Sequence, residues 1–303
     1  MTLLTELYPA VALRQFCSVF GKNRQAWYYA TRRRAEQDMT DCIVVKMVKQ
    51  IREQQPRIGT RKLYHLLTGQ LQSHQVKLGR DKFFALLQRY DLLIRRRRRR
   101  VITTDSRHPF HKYNNLIQDL TLTAKNQLWA SDITYIALKN DFAYLSLVTD
   151  VFSRKIVGHQ LWHNLSAQGT IQALNRALDR QKPQRHRLIH HSDRGVQYCC
   201  GDYVEILECN GIQISMSKKG DPYQNAIAER INGILKTEFN LGETFSSPEQ
   251  ATKAVNAAVT LYNSQRPHSS LSYLTPDQAH ELTGILKPNW KNYRKQRCTT
   301  LQD

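Results

Sequence analysis

Three acidic residues stand where an ordinary surface role explains them poorly. Asp132 lies inside LWASDITYIAL, Asp193 closes HRLIHHSD just before Arg194-Gly195, and Glu229 lies within DPYQNAIAERINGILKTE, with 35 residues between the second acid and the third. The segment around Asp132 is apolar on both faces, which predicts a central strand, and an ionised Asp buried there costs several kcal/mol unless it is paired or binds a metal. No basic residue adjoins it in sequence. Asp193 is placed at the carboxyl end of a strand, where α/β sheets tend to set their sites.

Glu229 belongs to KKGDPYQNAIAERINGILK, in which Gly220-Asp221-Pro222 reads as a turn and a helix is predicted from about Asn225 past Lys236. At 3.6 residues per turn, Ile227, Ile231, Ile234, Leu235 and Glu238 share one side, mostly apolar and predicted to face a core. Glu229 lies on the other side with Asn225, Ala226, Asn232, Gly233 and Lys236, all small or polar except the lysine. Small residues leave room for a visitor, and Asn225 and Lys236 suit an anionic one such as phosphate.

The elements that position these acids follow from pattern. NQLWASDITYIAL and DFAYLSLVTDVFSRKIVGHQL hold three β-rich runs broken at Lys139-Asn140-Asp141 and at Asp150 to Lys155, an antiparallel meander. SAQGTIQALNRALDRQ follows as a helix capped by Ser166, then HRLIHHSD as a strand, YVEILECNG as a helix and IQISMS as a strand. A meander followed by alternating helix and strand gives a mixed α/β sheet with helices packed on it. Asp150, at a strand end, is read as a turn cap. Gln197 and Tyr198 are read as loop residues able to touch DNA.

The front of the chain differs. Of a formal charge of +20, residues 1–112 hold 24 Lys/Arg against 8 Asp/Glu, a net +16, and residues 113–303 hold 21 against 17, a net +4. A small basic region ahead of a nearly balanced one suits nucleic-acid anchoring, because phosphate neutralisation supplies most non-specific affinity. Residues 11–34 outline two short helices around Gly21, and residues 42–93 repeat the theme at larger scale, both like helix-turn-helix units. In the last helix Phe83, Phe84, Leu86, Leu87 and Tyr90 are predicted to turn inward, with Arg80, Lys82 and Arg89 outward toward DNA. Arg95, Arg96, Arg97, Arg98, Arg99 and Arg100 form a run that cannot be buried, either an arm along a DNA groove or an adhesive for any polyanion.

No apolar run approaches 18 residues and LYPAVAL is too short for a signal or anchor, so no membrane association is expected. The six cysteines form no CxxC pair and fit a reducing, cytoplasmic compartment; no Cys/His spacing suits zinc.

Taken together, Asp132, Asp193, the 35-residue gap, Glu229 and Lys236 resemble the D,D(35)E pattern of retroviral integrases and related transposases. More narrowly, WASDITYI, HHSDRGVQY, GDPYQNAIAERINGILKTE and YNSQRPHSSLSYLTPDQA resemble the OrfB transposases of the bacterial insertion-sequence-three family, over about residues 40–280. The resemblance implies a ribonuclease-H-like mixed five-stranded sheet flanked by helices, preceded by an all-helical region of helix-turn-helix type. It implies that Asp132, Asp193 and Glu229 are both catalytic residues and ligands of two Mg²⁺ ions, with Mn²⁺ as a substitute. The chemistry agrees: two hard cations about 3.5–4 Å apart can activate an attacking oxygen and stabilise a leaving one. It implies cleavage at the ends of an insertion sequence and strand transfer by a 3′-hydroxyl. The partners implied are terminal-repeat and target DNA, further copies of the chain on that DNA, and an upstream-frame protein, OrfA, bound or fused.

The expected divisions are a helical DNA-binding region over 1–94, a basic linker over 95–122, an integrase-type catalytic core with a C-terminal helical extension over 123–283, and a basic tail over 284–303. A DNA-binding regulator with a dead core is disfavoured because all three acids are present. The helix-turn-helix regions argue against a nuclease without strand transfer.

Overall fold

The structure, a computed structural model, describes residues 7–94, 109–118, 120–183, 187–217 and 226–286. Two compact units emerge, one from Met1–Glu53 with Leu67–Leu93, the other from Gln54–Leu66 with Ile94–Asp303.

The first unit is helical. Helix α1 (Leu13–Val19) precedes a turn at Gly21, whose φ of 60° lies in the left-handed region glycine favours. Helix α2 then runs unbroken over Arg24–Gln54. The sequence pattern divides this stretch between two helix-turn-helix units, but the structure runs straight through, since no Gly or Pro interrupts those 31 residues. Asn23 caps α2 as expected, its Oδ1 accepting from the Ala26 N–H at 2.6 Å. Helix α3 (Thr60–Ser73) belongs to this unit from Leu67 onward, and helix α4 (Arg80–Arg89) buries Phe83, Leu86 and Leu87. Tyr90 was expected inward but is exposed beyond the end of α4, its ring beneath the Arg89 guanidinium. Arg89 also pairs with the buried Asp41 carboxylate.

The second unit is built on a five-stranded sheet of order β3-β2-β1-β4-β5, with β1 (Leu128–Ala137) central. β2 (Phe142–Asp150) and β3 (Ile156–Trp162) extend it as the expected antiparallel meander. β4 (Ile189–Ser192) and β5 (Gln213–Met216) join on the other side in parallel. Parallel neighbours need crossovers. These are α5 (Ala167–Gln181) between β3 and β4, and α6 (Val196–Cys199) with α7 (Gly201–Cys209) between β4 and β5. Ser166 holds the N-cap position of α5, although its side chain makes no capping bond.

Helices cover both faces. On one, Trp129, Val148 and Val157 pack with Leu174 and Ala177 of α5 and with Tyr203 and Leu207 of α7. α5 approaches β3 so closely that a Cβ at Gly158 would lie 2.1 Å from the Ala173 carbonyl oxygen. On the other face, Ile136, Leu145 and Leu147 meet Ile231, Ile234 and Leu235 of α8 (Ala226–Glu238) and Val255 and Val259 of α9 (Pro248–Gln265). The Asn263 amide locks α9 to the start of β3, accepting from the Ile156 N–H at 3.0 Å and donating to the Ile156 carbonyl at 2.9 Å. Asp150 caps its turn: Oδ1 accepts from the Ser153 N–H at 2.8 Å and Oδ2 from the Asn126 N–H at 2.7 Å.

Candidate active site

Strand register brings the first two acids level. Ala130 pairs with His191 across β1 and β4, and β4 ends at Ser192. Continuing that register by two residues sets Asp132 beside Asp193, where the flank of β1 is no longer covered by a strand. Side chains alternate along a strand, so Asp132 shares a face with Ala130 and Ile136, the face on which α8 packs.

From α8, the Asn232 amide donates to Asp132 Oδ2 at 2.8 Å. Asp193 is fixed by its own turn, with Oδ1 accepting from the Gly195 N–H at 2.9 Å. A Cβ at Gly195 would press to 3.0 Å from that same oxygen, so glycine lets the loop close on the carboxylate. Glu229 occupies the first turn of α8, exposed, one turn before Asn232 and therefore on the same side of the helix.

Electrostatics marks the spot. The Asp132 carboxyl is pushed up to about 7, first by burial, next by the Asp193 carboxylate and to a lesser degree by Glu229; the Asn232 hydrogen bond works in the opposite direction. Its side chain keeps a partial opening to solvent, yet protein atoms crowd the carboxylate on most sides. Its leading charged neighbours are thus carboxylates. Hard oxygen donors set close to one another fit a divalent cation. Among the described residues no three His, Cys, Asp or Glu side chains are close enough to form a ready-made cage. Asp132 and Asp193 are brought level, and Glu229 is the exposed third member on the covering helix.

Beneath the acids lies a neutral layer. His190 Nε2 meets Ser131 Oγ at 2.8 Å and the Tyr203 hydroxyl at 2.9 Å, and burial pushes this imidazole down to about 3. His191 Nδ1 meets Ser215 Oγ at 2.9 Å, and burial lowers it to about 4. Both brace β4 as uncharged rings. Gln197 and Tyr198, expected on a loop facing DNA, are buried on α6, the Gln197 amide donating to the Leu165 carbonyl. The aromatic ring of Tyr198 packs edge-on against Tyr203, which explains the inward turn.

The other expected DNA contacts are distributed. Lys236 lies seven residues beyond Glu229 on α8, its ammonium 3.6 Å from the centroid of the Tyr135 ring. Arg80 and Lys82 are exposed on α4 in the helical unit, with Arg80 beside Asp81. Asn225 and Arg95 to Arg100 lie outside the described residues.

Asn232 was passed over in the sequence as a small polar neighbour of Glu229, although its spacing of three from that acid was the available signal. Glu238 was assigned to the core-facing side of the helix, and there it accepts three charged hydrogen bonds. Arg266 Nε and Nη2 grip its two oxygens at 2.8 and 2.9 Å, and Lys62 Nζ donates at 2.7 Å.

A mixed five-stranded sheet with paired carboxylates at neighbouring parallel strands and a third acid on the covering helix defines a ribonuclease-H-like nucleotidyl-transferase core. The integrase core domain family matches residues 123–222, and a second family described in the same words matches 210–276. The chain is 34% identical over 266 residues to the insertion element IS600 uncharacterized 31 kDa protein of Shigella sonnei, covering 86% of this chain and 95% of that one. It is 33% identical over 274 residues to the transposase InsF for insertion sequence IS3A of Escherichia coli strain K12, covering 88% and 93%. Among solved structures, the HTLV-2 integrase catalytic core domain in complex with magnesium aligns at 22% identity, covering 52% of this chain and 98% of that one, with a TM-score of 0.43. The chain belongs to the DDE transposases of the insertion-sequence-three type, polynucleotidyl transferases with an integrase core.

Proposed function

We propose that Asp132, Asp193 and Glu229 are the catalytic carboxylates and hold two divalent cations, Mg²⁺ with Mn²⁺ as a substitute, during DNA cleavage and joining at the ends of an insertion sequence. The observation that carries this reading is the level placement of Asp132 and Asp193, with the Asp132 carboxyl raised to about 7 among like charges. Bound divalent ions would supply Lewis-acid stabilisation of the oxygens that attack and leave the phosphorus. The chain's own part is positional. Asn232 orients Asp132, the Gly195 N–H orients Asp193, and α8 presents Glu229. Lys236, half-buried over the Tyr135 ring, is assigned to a DNA phosphate.

DNA affinity is assigned to the helical region over 1–94, through Arg80 and Lys82, and to the linker over 95–122 with Arg95 to Arg100; catalysis is assigned to 123–283. The net +16 of residues 1–112 supports that division, and binding through counterion release weakens steeply with salt. The protein works as several copies on terminal-repeat and target DNA in the bacterial cytoplasm, at the nucleoid while bound, with an upstream-frame partner contributing end recognition. Among the described residues no helix is long and apolar enough to cross a membrane.

The test is substitution of each acid. Asp132→Asn, Asp193→Asn and Glu229→Gln keep shape but lose charge, and each should reduce Mg²⁺-dependent cleavage and joining by about 10⁴-fold or more while DNA binding persists. Activity near the parent rate in any of the three removes that residue from the mechanism.

A further inference from the structure

The hydrophobic contacts of α8 leave its register under-determined. Ile231, Ile234 and Leu235 pack on the sheet, but apolar packing is non-directional and by itself tolerates small slides and rotations. Besides the Asn232 bond to Asp132, directional bonds gather at the last residue of the helix. The Glu238 carbonyl, which has no partner within an α-helix, accepts from the Arg57 N–H at 3.1 Å. Its carboxylate takes the Lys62 ammonium at 2.7 Å and a two-pronged grip from Arg266, whose side chain is 2% exposed. Arg57 and Lys62 come from the segment Gln54–Leu66, which belongs to the catalytic unit and comprises the end of α2, the turn after it and the first half of α3. His65 of the same segment stacks on Tyr273, centroids 4.8 Å apart and planes at 18°.

We infer that segment Gln54–Leu66 is a positioning clamp for the catalytic helix: by holding Glu238 through both backbone and side chain, Arg57 and Lys62 set the register of α8 that delivers Glu229 and Asn232 to Asp132 and Asp193. The inference rests on the reading of these acids as the catalytic set. Glu238 lies nine positions beyond Glu229, about 13.5 Å of rigid rise and two and a half turns. Any slip at the clamped end therefore arrives undiminished at the catalytic end, and a misplacement of about 1 Å there costs on the order of 100-fold in rate. Lys62, Arg57 and Arg266 touch none of the catalytic acids, so they act through α8.

The clamp carries its own titration. Burial, with the Arg266 charge adding to it and Glu238 opposing, lowers Lys62 to about 8. The other groups facing it are Arg266 and Arg230, Glu238, whose carboxyl is held below its ordinary value by Arg266 and Lys62, and His268, pushed down by burial. Raising pH past 8 thus removes the ammonium charge, so the Lys62–Glu238 ion pair becomes a weaker hydrogen bond from a neutral amine to the carboxylate. Folding stability does not fall with that proton: the folded value lies below the ordinary lysine value of 10.5, so the native state gains relative stability between the two.

The experiment compares full-length wild type, Lys62→Met and Lys62→Arg. Mn²⁺ binding is measured by calorimetry, and single-turnover strand cleavage is followed on duplex carrying the terminal sequence of the gene's own element. Lys62→Met should lose roughly tenfold in saturated rate and in Mn²⁺ affinity, with half-saturating DNA within about twofold of wild type. Lys62→Arg should restore both. Between pH 7 and 9 the wild-type rate should fall relative to Lys62→Arg while its melting temperature does not. A Lys62→Met protein that keeps wild-type rate and Mn²⁺ affinity but melts earlier overturns the clamp in favour of a merely stabilising pair. Superimposable pH profiles of wild type and Lys62→Arg overturn it as well, and this arm decides even if Lys62→Met does not fold. Wild type that binds no Mn²⁺ overturns the reading of the acids, and the clamp with it.

Discussion

Asp132 and Glu238 are two enclosed carboxylates of the same unit, and their proton affinities move in opposite directions. Burial raises both. At Asp132 the next influence is another carboxylate, so the shift compounds to about 7. At Glu238 the hydrogen bonds and charges of Arg266 and Lys62 outweigh burial and hold the carboxyl below its ordinary value. Burial alone therefore does not mark a working acid. The company a carboxylate keeps does: cations complete Glu238 within the protein, whereas the leading charged neighbours of Asp132 are carboxylates.

Removing each charge gives the sharpest contrast. Glu238→Gln leaves the Arg266 guanidinium enclosed without a counter-charge and should cost about 3 kcal/mol or more in denaturant unfolding. Asp132→Asn removes a repelled charge, so the metal-free protein should be as stable as wild type or more so. Equal losses from both substitutions would erase the distinction.

A smaller effect separates them by pH. The folded value of Asp132 lies above 3.8, so the stability it contributes is fully present below that value and is lost as pH rises through about 7. Glu238 has a lowered folded value; its contribution is present above 4.5 and is lost as pH falls through that lower value. With chelator present, wild type should gain stability relative to Asp132→Asn on moving from pH 8 to pH 5, measured by urea titration. A constant difference would place the raised carboxyl elsewhere.

The smallest change concerns Asn232. Its hydrogen bond holds the Asp132 value down, so Asn232→Ala should move that carboxyl further upward in an NMR titration. Metal affinity should fall about tenfold, as for other partners that orient a ligand. An unmoved titration would deny Asn232 its orienting role.

Much of this arrangement was legible in the sequence, for physical reasons. Asp132 stood out because a charge in a doubly apolar strand demands explanation, and the meander and alternating elements fixed a sheet able to bring Asp193 beside it. The buried side of α8 followed from its period, and Ile231, Ile234 and Leu235 are indeed enclosed. What stayed hidden depends on distant meetings. Nothing near Glu238 announces Lys62, 176 positions earlier, and the Arg266 tail segment reveals its target only once folded. The continuity of α2 was missed for a different cause: residues 34–42 are polar, so periodicity faded while the backbone had no reason to stop. The aromatic seat of Lys236 needed β1 and α8 side by side.

The discontinuous make-up of the catalytic unit has a consequence for its birth on the ribosome. Lys62 emerges long before its partner, and at about 5–20 residues per second it waits on the order of ten to thirty seconds for Glu238, and longer for Arg266. Pairings so far apart in sequence also form late for reasons of chain entropy. A nascent chain therefore trails its basic front end into the cell well before helix α8 can be seated against Lys62 and Arg266.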